Sequence, residues 1–153
     1  MQKISSEYLA VNKYIQIIND LGFWRFFEIW SATITLPFWL YKKDFEATLK
    51  YFDVKNDVKF SNIDQVLICK CVGLTTRKPW LMRDRRCLRQ SLLAMKFLRK
   101  ANLAPTINFG VDINSMSSPS LSAHCWVEIN NHPVMNDIME DMIVVYSAST
   151  PSQ

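Results

Sequence analysis

Cys87-Leu88-Arg89-Gln90-Ser91-Leu92-Leu93-Ala94-Met95 decides how this chain is read, once it is set beside Ser122-Ala123-His124-Cys125-Trp126-Val127-Glu128-Ile129. The first stretch is apolar at helical period and reads as a helix that a thiol opens. The second alternates and reads as a strand that carries an imidazole. Asp137 follows His124 by 13 positions, across the turn-forming Asn130-Asn131-His132-Pro133. A thiol at a helix start, an imidazole on one strand and a carboxylate on the next supply a nucleophile, a base and a group that orients the base.

The flanking sequence sets the architecture. Tyr8 to Leu21 repeats near helical period and Gly22 ends it. A second helix is predicted over Arg25 to Thr35, with Leu36-Pro37 as a break, and further amphipathic runs over Asp44 to Phe52 and Ile63 to Gly73. After residue 105 the pattern changes to strands: Thr106 to Val111, about 122 to 129, about 133 to 139, and Ile143 to Tyr146. Helices first and an antiparallel sheet afterwards make an α+β fold. At 153 residues the chain is expected to form one domain, 1–153, with 1–60 a helical N-terminal subregion.

Composition narrows the function classes. Hydrophobic residues are 49% and charged residues 21%, so the chain buries a core and is not a disordered segment. The N-terminus lacks the apolar run of a secretory signal. The longest uncharged hydrophobic run, Ile29 to Tyr41, has 13 residues and contains Pro37, too few for a membrane span of about 20. A cytoplasmic protein with reduced thiols at Cys69, Cys71, Cys87 and Cys125 is the expectation. Cys69-Lys70-Cys71 is a C-x-C pair without the C-x2-4-C spacing of zinc knuckles, so no metal and no cofactor is expected.

Two uneven distributions bear on partners. Of 19 aromatic residues, 14 lie in the first 60 positions. These helices are expected to pack as one core with the rest, the alternative being an exposed aromatic patch where a partner docks. Residues 70 to 100 hold ten of the 18 basic residues against Asp84 alone, whereas the stretch from 101 onward has no Lys or Arg. A basic run is a solvated face or a nucleic-acid footprint. No nucleic-acid docking motif accompanies this one, and the candidate nucleophile lies at its centre.

A cysteine attacks as its thiolate, so the ordinary thiol pKa of about 8.5 must fall. A helix N-terminus and Arg83, Arg85, Arg86 and Arg89 are the positive charges at hand. Strand alternation puts His124, Trp126 and Glu128 on one face and Cys125, Val127 and Ile129 on the other, which makes Cys125 a core residue. On the next strand Asp137 can reach His124, with an Nδ1–H to carboxylate bond. Asn136 is the rival orienter and points to the opposite face.

Cys87-Leu88-x-x-Ser91-Leu92, Pro105-Thr106-Ile107-Asn108-Phe109-Gly110-Val111, Ala123-His124-x-Trp126-Val127-Glu128 and the upstream Leu36-Pro37-Phe38 together resemble the lasso-peptide leader peptidases, transglutaminase-like cysteine proteases of bacterial peptide biosynthesis. The resemblance is densest from 83 to 139. Cys125 departs from it where alanine is common, and Asn102 where glycine ends the nucleophile helix. It implies a transglutaminase/papain-like core and an endopeptidase that cuts the leader from a ribosomally made precursor peptide. Cys87 is then the nucleophile, His124 the general base and acid, and Asp137 the orienter. A separate winged-helix-like leader-recognition protein and a lasso cyclase are the implied partners. The other readings are an acyltransferase or amidase using the same triad, and a non-catalytic binding subunit of a peptide-maturation complex.

Overall fold

The computed structural model describes residues 2–41, 43–44, 46–48, 54–55, 57–77 and 85–149, with side chains from residue 12 onward. Helix α1 spans Gln2–Leu21 and α2 spans Phe23–Leu40. Gly22 alone joins them, at a φ of 87° that favours glycine. Ile29, Ala32, Thr33 and Leu36 form the buried stripe of α2 at i, i+3, i+4 and i+7. The helix runs through Pro37 instead of breaking there. The proline lies in the last turn, so it removes one ladder bond only three residues before the end, while fully buried Leu36 holds the register. Asp44 begins the third expected run, its carboxylate accepting the Ala47 N–H at 2.7 Å; most of that run lies outside the described residues.

Helix α3, Gln65–Thr75, starts two residues later than the periodicity suggests, where the Asp64 side chain accepts the Val66 N–H. It continues past Gly73 because Leu74 and Thr75 are buried. The Thr75 hydroxyl donates back to the Cys71 carbonyl, and Thr33 donates across to Thr75 at 3.1 Å. Helix α4, Arg86–Lys100, is the central element, buried at almost every position from Gln90 to Arg99. It ends with Asn102 at a φ of 63°, the Leu103 N–H donating to the Leu98 carbonyl at 3.0 Å and the Asn102 N–H to that of Arg99 at 2.9 Å. This double closure is what an asparagine can supply in place of the usual glycine. Lys100 pairs with Glu28 of α2 and, at 3.3 Å, with Asp57, so part of the basic segment is spent inside the fold.

Four antiparallel strands follow: β1 Thr106–Asp112, β2 Ala123–Ile129, β3 His132–Met135 and β4 Met142–Ser149, in the order β3-β2-β1-β4. Strand β3 is shorter than expected because Asn136 turns left-handed at a φ of 58°, and β4 is longer than Ile143–Tyr146. Ile107, Phe109, Cys125, Val127 and Met135 belong to the core that covers α4. Their neighbours in sequence, including His124 and Trp126, face the other way, as alternation requires. The molecule is therefore α+β, with the thiol-bearing helix packed on one face of an antiparallel sheet.

Candidate active site

Cys87 lies in the first turn of α4 and is half-buried. The residue before the helix, Arg85, adopts a left-handed φ of 58° and makes no side-chain capping bond. No acidic residue occupies the first turn. The first N–H groups of a helix have no partner inside it, and here neither Arg85 nor an acidic side chain takes their place. Arg85 and Arg86 are exposed. Lys78, Trp80 and Arg83 lie outside the described residues.

His124 stands near the start of β2, directly opposite Gly110 of β1. A Cβ on Gly110 would lie 2.8 Å from Cζ3 of Trp126, so only glycine admits the indole there. That indole, 2% exposed, stacks beside the imidazole at 6.2 Å between centroids and donates from Nε1 to Glu128 at 2.8 Å. The imidazole thereby gains one fixed wall. Its Nε2 lies 3.0 Å from the main-chain oxygen of Asp137. A carbonyl oxygen only accepts, so Nε2 carries the proton of the neutral ring and Nδ1 is the basic nitrogen. The contact differs from the expected one in both atoms: Nε2 in place of Nδ1, and the Asp137 carbonyl in place of its carboxylate. The cause is the early end of β3, which puts Asp137 in the following turn with its side chain exposed.

Asn136 holds the other half of the site. Its side-chain nitrogen lies 3.0 Å from the Cys87 carbonyl, 3.0 Å from the Ser91 hydroxyl and 3.0 Å from the Cys125 carbonyl. Two of these three can only accept, which fixes the amide with nitrogen inward. Ser91, fully buried, donates its own proton to the Cys125 carbonyl at 3.0 Å. Helix α4, strand β2 and the turn after β3 are thus tied together beside the thiol. The turn 136–137 touches both the Cys87 backbone and the His124 ring through adjacent residues. Sequence reading placed Ser91 and Gly110 in its motifs but missed what they do, and it missed the anchoring role of Asn136. The legible signals were a serine on the buried face of a helix and a glycine inside a strand pattern.

The remaining thiols have a different character. Burial pushes Cys69, Cys71 and Cys125 each up to about 12, which makes them inert at neutral pH. Cys125 points into the core, as strand alternation predicts. His132 is exposed on β3. Among the described residues no group of three His, Cys, Asp or Glu side chains could hold a metal ion. No helix among them is long and apolar enough to cross a membrane.

The family model described as the transglutaminase-like superfamily matches residues 64–146, more than half of the chain. No curated protein and no solved structure matches it. The matched span begins at the cap of α3 and takes in all of α4, β1, β2 and β3, hence Cys87, His124, Asn136 and Asp137. Catalysis in that superfamily is usually cysteine-based. A cysteine in the first turn of a helix laid on an antiparallel sheet, with a histidine on the neighbouring strand, fits that chemistry, and the chain belongs to the transglutaminase-like superfamily.

Proposed function

We propose that this protein is a cysteine endopeptidase that removes the leader from a ribosomally made precursor during lasso-peptide biosynthesis. Cys87 is the nucleophile, His124 the base and then the acid, and Asp137 the residue that orients the ring. The observation that carries the reading is the 136–137 turn, bonded at 3.0 Å both to the Cys87 carbonyl and to Nε2 of His124. With Nε2 held by Asp137, Nδ1 takes the thiol proton. The sulfur then attacks the scissile carbonyl, and first-turn N–H groups of α4 hold the oxyanion. The imidazolium returns its proton to the departing amine, leaving a thioester on Cys87. Water, deprotonated by His124, hydrolyses that thioester and releases the acid.

The leader-peptidase assignment draws its support from the sequence resemblance, within a superfamily that also accommodates acyl transfer to an amine in place of water. A cytoplasmic setting, a separate leader-recognition protein and a downstream cyclase belong to the same proposal. The recognition protein docks on α2 and its C-cap, where Trp24, Phe38 and the capping Tyr41 are 78%, 76% and 80% exposed. Phe23, Trp24, Phe27 and Trp30 form a chain of ring contacts on that helix. Tethering the leader beside the site raises its effective concentration to about the mM range.

Mass spectrometry of the co-encoded precursor, incubated with this protein and its recognition partner, tests the reading. The expected result is a single cut between leader and core, lost in Cys87→Ala and slow without the partner. A precursor left whole, or cut equally by Cys87→Ala, overturns it. A released leader whose C-terminal carboxyl carries an added amine as an amide assigns the acyltransferase instead.

A further inference from the structure

A cleft of about 750 Å³ lies between α1 and α3 and reaches the start of α4 at Arg86 and Gln90, which flank Cys87 in sequence. Its apolar lining includes Ile17, Leu67 and Leu74. Lys13, Lys70, Arg77 and Arg86 also line it, all exposed, and none has an ion-pair partner among the described residues. Two carboxylates, Asp20 and Asp64, share the cleft, and Asp64 is occupied in capping α3. Tyr14 donates to the Leu74 carbonyl at 3.2 Å, which pins the Lys13 end of α1 to the Arg77 end of α3. Asp20 and Asp64 are therefore at the far end, Lys70 lies midway, and Lys13, Arg77 and Arg86 lie at the end where Gln90 donates to Thr76 at 2.8 Å, nearer Cys87.

The cleft does not stop at α3. Val66, Lys70 and Gly73, at i, i+4 and i+7, line it and also a shallower groove of about 460 Å³ on the other flank of α3. A Cβ on Gly73 would meet nothing within 4 Å, so the crossing is open. The shallower groove runs to Pro133 and Asn136, the residue that anchors the Cys87 carbonyl. A path for an extended chain thus has the candidate site at both of its ends.

We propose that this basic cleft is a substrate subsite that takes side-chain carboxylates of the peptide within a few residues of the scissile bond. The proposal rests on the reading of Cys87 as nucleophile toward a peptide. Four cations against two carboxylates, none of them ion-paired among the described residues and three of them (Lys13, Arg77 and Arg86) at the end nearer Cys87, select an anionic segment, while Ile17 and Leu74 receive the aliphatic stems between the charges. Exposed ion pairs are individually weak and salt-sensitive, so several acting together are expected to give a preference of about fivefold to twentyfold.

The test measures binding without turnover, on the full chain carrying Cys87→Ala. The probes are two rhodamine-labelled hexapeptides, one alternating glutamate and alanine, the other with glutamine in place of glutamate, followed by fluorescence anisotropy. The glutamate peptide is expected to bind about fivefold to twentyfold tighter at low salt and to lose that margin at high salt. Arg77→Glu and Lys13→Glu should each abolish the preference while thermal unfolding stays unchanged, since both side chains are exposed. Equal affinity for the two peptides overturns the subsite, as does a preference that survives both variants. Displacement of the glutamate peptide by a short oligothymidylate at lower concentration than by the unlabelled peptide assigns the cleft to nucleic acid and also overturns it. Because no cleavage is read, failure here leaves the endopeptidase reading to stand on the precursor assay.

Discussion

Replacing Asn136 by alanine is expected to destabilise the fold by about 2–3 kcal/mol and to loosen the site in the same stroke. Two losses add up to that figure. The two hydrogens of the side-chain nitrogen are shared among three acceptors at 3.0 Å, and Ser91 and Cys125, which hold two of them, are 0% and 2% exposed. Removing the donor from buried acceptors costs about 1–3 kcal/mol, and water entering beside the half-buried Asn136 keeps this in the lower half of the range. The backbone φ of 58° then penalises alanine by about 1 kcal/mol more, since asparagine enters the left-handed region more readily. Asn136→Gly, which adopts that φ freely, isolates the hydrogen-bond loss. Asn136→Asp presents an anion to three acceptor oxygens and is expected to be the worst of the three. Urea unfolding measures all of them, and a chain of this size should lose about 4–12 °C of Tm in the alanine variant. Alanine and aspartate variants both within about 0.5 kcal/mol of the parent would refute the anchor.

Iodoacetamide at neutral pH should label Cys87 alone in the native protein, because burial holds the other three thiols protonated up to about 12; early modification of Cys125 would contradict this. The same burial predicts alkaline sensitivity. Below pH 9.0 these thiols are neutral in both states and their contribution is complete; between 9.0 and about 12 the unfolded chain ionises first and stability falls. Unfolding free energies from urea titrations at pH 8 and pH 10 should therefore differ by roughly 1 kcal/mol per thiol, less in Cys71→Ala, and a flat profile would count against the assignment. Gly110→Ala must push the Trp126 ring aside and is expected to cost about 1–3 kcal/mol, with a shift in tryptophan fluorescence; an unchanged spectrum and stability would show that the indole does not fill that space. Under the proposed mechanism His124→Ala should lower turnover about 10²–10⁴-fold. Asp137→Ala keeps the main-chain carbonyl and should lose only about tenfold, so equal losses in the two variants would place the orienting contact on the carboxylate.

The helices and the two faces of β2 were legible because they follow from side-chain pattern. Apolar spacing located α4, and alternation sent Cys125 to the core and His124 to the other face. Asn102 was readable as a left-handed cap from its backbone tolerance. Pro37 misled because a proline stops a helix only where packing does not hold the turn, and the burial of Leu36 cannot be seen locally. The end of β3 was misplaced for a related reason. Asn136 leaves the strand to satisfy acceptors on α4 and β2, partners 49 and 11 residues away. The Asp137 contact was beyond reach of residue-by-residue reading, since a main-chain carbonyl is the same whatever side chain it carries. Sequence thus supplied the candidate thiol and imidazole, while the turn bonded to the Cys87 main chain and to the His124 ring came from the fold.

The sheet has two unlike edges. At one side β3 is only four residues long and carries Pro133, which cannot donate to an added strand. At the other, β4 runs for eight residues, Met142–Ser149, with no proline and no charge, and Ile143, Val144 and Val145 are all exposed. A strand of that length and composition is a template for another of its kind. Of the two edges, β4 is accordingly the one expected to template pairing with a second copy. A lysine at Val145 is the substitution that keeps it monodisperse without approaching Cys87.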